Sequence, residues 1–418
     1  MRKSGKFAGL LTCLAVLLSG VAQSQLLING AGSTFGYPIY SKWFDDYTKV
    51  DPGTRFNYQS IGSGGGIMML RNRTVDIGAT DAPLSDEQIK AMPAPVLHLP
   101  SVIGAVVLMY NLPGLQAQNI RLSGPTIADI YLGKITKWSD PAIRKLNRGI
   151  NFPDEAIQVV HRSDGSGTTY IFSDYLSKIS PAWKGEVGRG TSLKWPAGLG
   201  GKGSEGVTGL VQQTPGALGY VELTYALTNH IPVAIVSNHD RNWIVPTLEG
   251  VTAAAASVSA DMPADFRVSI TDAPGAQSYP ISSFTWLLVY KRQSNHAKGE
   301  AIVNLLKWAL IDGQKDATAL NYAPLPQAIV RKELEALKEI NTGDLITTAT
   351  PIELRAKINP VAIVIERRIV GWCVHQFTCT WILGADGSLY GRRELIQRRG
   401  RRRKLSPTSV RPCQGGQA

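Results

Sequence analysis

The sequence predicts an α/β fold built on a largely parallel sheet. Short apolar runs of strand character alternate with segments of helical periodicity. One run, Val102 to Tyr110, is almost unbroken in its apolar character, which suits a strand covered on both faces. Three junctions are Gly/Ser-rich: Gly32-Ser33-Thr34-Phe35, Ser63-Gly64-Gly65-Gly66 and Gly165-Ser166-Gly167-Thr168. In each, a strand-like run ends, a tight turn follows and a helical pattern begins.

The elements follow in order. Phe35, Ile39, Trp43 and Tyr47 recur at spacing four and predict the buried stripe of a helix over residues 34–49. Arg55 to Ser60 reads as a strand that runs into the first glycine-rich turn, and Ile67 to Leu70 as the start of a helix. Val75 to Gly78 is a short strand leading to Thr80-Asp81-Ala82-Pro83. The long apolar run ends at Asn111-Leu112-Pro113-Gly114. Ile127 to Leu132 and Pro141 to Leu146 read as helices. Ile157 to Val160 is a strand that delivers His161-Arg162-Ser163-Asp164-Gly165-Ser166-Gly167. Gly216 to Val221 reads as a turn and strand, Ala253 to Ala256 as a helix or linker, Ser282 to Tyr290 as a strand. Lys298 to Leu310 is a helix with Ile302, Leu305 and Leu306 inward.

The 418 residues, 44% hydrophobic and 18% charged, are globular in composition and long enough for two or more domains. Arg2, Lys3 and Lys6 followed by an apolar run over residues 8–18 and by Ala22-Gln23-Ser24 read as a secretory leader cleaved near Ser24–Gln25. Its apolar run is too short to span a membrane. A lipid anchor on Cys13 is the lesser alternative. The formal charge of +12 is concentrated at the ends: the leader contributes three cations, and residues from Asn341 onward carry a net +8, so residues 25–340 are close to neutral. A broad nucleic-acid-binding face is therefore not expected there. Residues 25–340 contain no cysteine, so an exported core must hold without disulfides, while Cys373, Cys379 and Cys413 lie in the tail.

The three loops point to a small oxyanion. Helix N-termini leave N–H groups unpaired and favour negative charge, and Arg162 adds a planar fork of donors. Ser33, Ser63 and Ser166 could equally serve as N-caps. Asp81 could be a turn residue before Ala82-Pro83. Its alternative role is discrimination: a carboxylate beside an oxyanion accepts the proton of a protonated phosphate and repels sulfate, which has none. Asp164 is expected to orient Arg162. Gly198-Leu199-Gly200-Gly201-Lys202-Gly203 fits the G-x-G-x-x-G string, with Glu222 at a suitable distance. However, Trp195-Pro196-Ala197 precedes it in place of a clean strand, so a dinucleotide site is not expected. His161 reads as a strand-end histidine, and no His and carboxylate set has metal-ligand spacing.

These segments resemble the periplasmic phosphate-binding protein of bacterial ABC-type phosphate importers. The resemblance runs from about residue 27 to 340. It includes Ala31 to Phe35, Tyr58 to Gly65, Asp76 to Ser85, Asp129 to Ile135, Arg162 to Thr168, Lys194-Trp195-Pro196 and Gly219 to Glu222. It implies a two-lobed, type II-like periplasmic binding protein fold, each lobe a mixed, mostly parallel sheet flanked by helices. Lobe 1 would be residues 25–111 plus 277–340 and lobe 2 residues 112–276, with hinge crossings near Asn111 and Gln277. Carried over residue by residue, phosphate contacts fall on Thr34, Phe35, Ser63, Asp81, Arg162, Ser166, Gly167 and Thr168. Asp81 would accept the phosphate proton and Asp164 would pair with the arginine. The implied protein is a periplasmic monomer without cofactor, metal or enzymatic activity that passes inorganic phosphate to the transmembrane permease subunits.

Residues 341–418 depart from that resemblance. Arg398 to Lys404 is almost wholly basic, and the tail is expected to be poorly ordered. The competing functional reading is a phosphatase-like phosphoryl-transfer enzyme in which Ser166 attacks with His161 or Asp164 as base. A third is an adhesion or nucleic-acid module driven by the tail.

Overall fold

A computed structural model describes residues 25–259 and 261–342, and the segments 364–367, 376–383 and 389–396. The leader and its cleavage point lie outside the described residues, as does most of the tail. The tail's described segments β12 (Val364–Arg367), β13 (Gln376–Leu383) and β14 (Leu389–Ile396) form an antiparallel sheet in that order. The remainder of that unit, which begins at Ile346, is outside them.

The first unit, up to Leu345, is organised by one eight-stranded sheet. Its strands are β1 (Leu26–Gly32), β2 (Thr54–Ser60), β3 (Ile77–Thr80), β4 (Val96–Asn111), β6 (Gln158–Arg162), β7 (Leu199–Gly201), β8 (Ala217–Glu222) and β11 (Ser282–Tyr290), in the order β2-β1-β3-β11-β4-β8-β6-β7. A small three-stranded sheet holds β5 (Arg121–Leu122), β9 (Ile235–Ser237) and β10 (Trp243–Ile244). The large sheet is mixed, with more parallel than antiparallel pairings, as expected. Four pairings of the large sheet are parallel and three antiparallel, and every antiparallel one involves β4 or β11.

β4 explains this pattern. It is sixteen residues long and buried over all but its two ends, as its apolar sequence requires. Val96 to Ala105 pairs with β11, whereas Val106 to Asn111 pairs with β8. The strand therefore belongs to two half-sheets and changes partner between Ala105 and Val106.

Strand directions then fix where the chain ends of both halves point. β1, β2 and β3 run with β4, because β11 opposes both β3 and β4. β8, β6 and β7 run against β4. Since β4 passes from the first half into the second, the carboxyl ends of all six strands face the seam between the halves. Ligands in open α/β sheets bind at carboxyl ends of strands, and here two sets of them meet.

Helices cover the sheet. The predicted stripe is buried: Phe35 and Ile39 are 0% exposed, Trp43 1% and Tyr47 4%. The helix itself runs Tyr37–Val50, so Phe35 packs from the loop before it. Helices Gly124–Tyr131, Pro141–Leu146, Leu248–Ala256 and His296–Ile311 stand at the predicted helical segments. The alanine run is thus a helix, capped by Thr247, and no linker. Trp138, Trp183 and Trp286 are fully buried, and each indole N–H donates to a backbone carbonyl, of Gly216, Gly188 and Phe266 respectively.

Candidate functional site

Three loops of the first half and three of the second bring the site together. After β1, Ser33 accepts from the Gly36 N–H (3.0 Å) and its hydroxyl donates to Asp81 Oδ1. After β2, Gly62 turns the chain at φ +86° into the helix Ser63–Arg71. A side chain there would strike Asp164 Oδ2, so glycine serves both the turn and the close approach. Ser63 Oγ lies 3.4 Å from Asp81 Oδ2 and accepts from the Asp81 N–H at 3.2 Å. After β3, Asp81 is 1% exposed. It does not make the turn before Pro83; Thr80 Oγ1 takes the Ala82 N–H instead, at 3.1 Å.

In the second half, β6 ends on Arg162. Its Nε and Nη2 donate to the two oxygens of Asp164 at 2.7 and 2.5 Å, and its Nη1 reaches Thr168 Oγ1 at 3.5 Å. Ser166 caps the helix Gly167–Ile179 by accepting from the Thr169 N–H at 3.1 Å. β7 enters the helix Gly203–Gln213, and the Gly203 N–H donates to Asp164 Oδ1 at 3.0 Å.

The halves touch directly. The Gly167 N–H donates to Ser63 Oγ (3.1 Å) and the Gly64 N–H to Gly165 O (2.8 Å). A Cβ on Gly167 would come within 2.5 Å of Asp81 Oδ2 and Ser63 Oγ, so only glycine lets the helix start approach this closely. Thr34 Oγ1 bonds Ser204 Oγ at 2.8 Å, and Tyr225 Oη donates to Thr34 O at 2.6 Å. Tyr322 Oη donates to Phe35 O at 2.6 Å. Tyr58 Oη donates to Ser33 O at 2.8 Å.

Burial dominates the electrostatics. It pushes the Asp81 carboxyl up to about 6, against the opposing pull of the Ser33 and Thr285 hydroxyls, the Arg162 guanidinium and Ser63. Asp164 is also raised by burial, yet Arg162 and the Gly203 N–H outweigh this and hold it below the ordinary carboxylate range. Glu222, fully buried at the end of β8, is driven well above the ordinary carboxylate range by burial.

All eight predicted contact residues and Asp164 thus converge on the seam. Of the three serines read as possible caps, only Ser166 caps a helix, since the helix beginning at Ser63 has Gly62 as its N-cap and the one after Ser33 has Gly36. No strand stands at Trp195-Pro196-Ala197 before the glycine string at 198–203; the string itself holds one, Leu199–Gly201, which pairs with β6. Its role is to present Gly203 to Asp164. Sequence reasoning missed Thr285, Ser204, Tyr225 and Tyr322. Each is a hydroxyl on a segment that read as core or was not assigned. His161 stacks on Trp195 (centroids 4.7 Å, 12° between planes) and its Nδ1 meets Arg162 O at 3.0 Å, while both Asp164 oxygens are held by Arg162, so both candidate bases are engaged elsewhere. Among the described residues no group of His, Cys, Asp or Glu could hold a metal ion.

A split sheet with donor-rich strand ends facing each other defines a two-part solute-binding fold. The comparisons agree. A family model described as a PBP superfamily domain matches residues 19–312. The phosphate-binding protein PstS of Xylella fastidiosa is 45% identical over 309 residues, covering 74% of this chain and 84% of that protein. The protein of the same name from Pasteurella multocida is 44% identical over 335 residues, 79% of this chain and 96% of that one. Among solved structures, a high affinity periplasmic phosphate-binding protein bound with phosphate superposes with a TM-score of 0.61 at 21% identity, over 74% of this chain and 93% of that one. The chain belongs to the PstS phosphate-binding protein family of the PBP superfamily, a family of binding proteins and not of enzymes. This membership supports phosphate binding and not the phosphatase-like role for Ser166.

Proposed function

We propose that the chain is an extracytoplasmic receptor that captures inorganic phosphate at this seam and delivers it to the membrane permease subunits of an ABC importer. The observation that carries the reading is Asp81, a buried acceptor surrounded by hydroxyl and N–H donors from both half-sheets. The names of the curated relatives support it. Phosphate would take the place of the direct contact between Gly167 and Ser63. It would accept from the N–H groups of Thr34, Phe35, Gly167 and Thr168, from the hydroxyls of Ser63, Ser166 and Thr168, and from Arg162.

The charge balance fits this ligand. Arg162 is neutralised by Asp164, and Asp81 adds a negative charge when ionised, so attraction for an anion must come from oriented dipoles. Asp81 Oδ2, which has only the long contact from Ser63, is free to accept a phosphate proton. Sulfate has no proton to offer and meets an unpaired carboxylate.

The two half-sheets would be the lobes, and the partner change at Ala105/Val106 with the return at Ser282 would be the crossings. On this reading the boundary would lie in the middle of β4 and at the start of β11, in place of Asn111 and Gln277. No helix among the described residues is long and apolar enough to cross a membrane. With the leader-like start, a monomeric periplasmic protein cleaved near residue 24 is the fitting form. Titration calorimetry with phosphate and sulfate at pH 8 tests the whole reading. Heat with phosphate and none with sulfate is expected; no heat with millimolar phosphate would sink it.

A further inference from the structure

We propose that Thr285 is a specificity-determining positioning residue, which acts through Asp81 to keep it a charged acceptor and so to exclude unprotonated oxyanions. The inference rests on the phosphate reading above and adds a residue and a device to it.

The device is a β-bulge. Along the β11–β4 pairing, Thr285 faces Val102 and the next residue, Trp286, faces Pro100, so Ser101 is the extra residue. Bulges beside binding sites re-aim side chains. Here Thr285 Oγ1 donates to Asp81 Oδ1 at 2.7 Å. Behind it, Tyr40 Oη lies 3.0 Å from Thr285 Oγ1 and 2.8 Å from Ser101 Oγ. Ser101, Tyr40, Thr285 and Asp81 are each at most 3% exposed, so water does not compete.

An ionised carboxylate can only accept, and each hydroxyl has one proton to give. With the Thr285 proton given to Asp81, the relay that reaches the carboxylate runs from Tyr40 to Thr285 to Asp81, while Ser101 Oγ, 2.8 Å from Tyr40 Oη, also donates to Thr285 O at 3.0 Å. Ser33 also donates to Asp81 Oδ1. With Oδ1 occupied by two donors, Oδ2 is the oxygen that faces Gly167 and the ligand. Other groups bear on the same charge. Arg162 favours it, and Asp81 in turn disfavours the ionised forms of Glu222 and of the Tyr40 and Tyr58 phenols. Burial opposes it more than any of these. The margin by which Asp81 stays ionised is small, and one donated hydrogen bond is large enough to set it. Neutral Asp81 would no longer repel sulfate.

The test is the pH profile of phosphate-over-sulfate preference for the full chain and for T285V, T285S and Y40F, measured by calorimetry between pH 5 and 9. In the unaltered chain, preference should erode on acidification through about pH 6. In T285V the erosion should move up by about one pH unit, costing about tenfold in preference at pH 7. T285S should restore the original profile, and Y40F should move it the same way by less. A T285V profile that overlays the original overturns the proposal while leaving the phosphate reading intact. Should T285V not fold, an unshifted Y40F profile overturns it instead. Absence of phosphate binding in the unaltered chain defeats the phosphate reading itself.

Discussion

Asp81 shows how one residue can be functional and costly at once. Its carboxyl titrates near 6 in the folded chain because burial disfavours the charge, whereas an unfolded aspartate titrates near 4. A raised folded value means that the folded state holds the proton more tightly than the unfolded state. That contribution is fully present below about pH 4 and is lost as the pH rises through about 6. Two units correspond to about 3 kcal/mol of stability surrendered by neutral pH. Asp81→Asn cannot ionise, so its ligand-free melting temperature should lack this decline between pH 4 and 6. At pH 7 the variant should be the more stable protein. It should also bind sulfate more nearly as well as phosphate, because an amide can donate where a carboxylate repels. Melting curves across pH together with calorimetry on the two anions read both effects. A variant that keeps the original pH slope, or the original preference, would show that Asp81 does not have this role.

At the scale of elements, helix Gly167–Ile179 separates capping from ligand contact. Ser166 accepts from the Thr169 N–H, which alone would justify a serine there. Replacing a cap by Ala costs about 1 kcal/mol and by Gly only a few tenths. Ser166→Gly should therefore leave thermal stability near the original value while weakening phosphate binding through the lost hydroxyl. If capping were the whole role, Ser166→Gly would bind as tightly as the original. The same segment was legible in sequence because its chemistry is local: arginine, carboxylate, hydroxyls and glycines lie within seven residues, Arg162 to Thr168. The amphipathic stripe at Phe35 to Tyr47 and the apolar run of β4 were legible for a similar reason, since periodicity and burial are written in neighbouring residues. What was not legible depends on pairing. β7 is three residues with two glycines, and only its ladder to β6 makes it a strand. Thr285 is a polar residue between the apolar Phe284 and Trp286, and its aim is set by a bulge on another strand. The partner change in β4 leaves no mark in composition, because both of its halves are equally buried.

At the scale of the whole molecule, the two halves are tied at a second place, away from the site. Residues 262–267 are held by the first half: Lys332 Nζ donates to Met262 O (3.2 Å), Trp286 Nε1 to Phe266 O (2.9 Å), and Arg267 Nη1 donates to both Leu84 O and Asp86 Oδ1 (2.8 Å each). Two residues further on, Ser269 and Thr271 donate to Asp174 Oδ2 at 2.6 Å each, on the helix whose start carries Ser166, Gly167 and Thr168. Only Val268 separates the two anchorages. On the proposed two-lobe reading, opening would have to break one of them, and the Arg267 end is the weaker. Asp86 is 70% exposed, so the ion pair contributes little. The bond to Leu84 O, from a charged donor that is three-quarters covered, contributes about 1.5 kcal/mol. Arg267→Gln should shift the ligand-free protein toward the open form. Because apparent affinity scales with the closed fraction, phosphate should bind about tenfold more weakly. Small-angle scattering should show a larger radius of gyration without phosphate and the original one with it. Weaker binding without any change in ligand-free size would mean that Arg267 acts on the site and not on closure. Unchanged affinity and size would mean that the strap follows the lobes without restraining them.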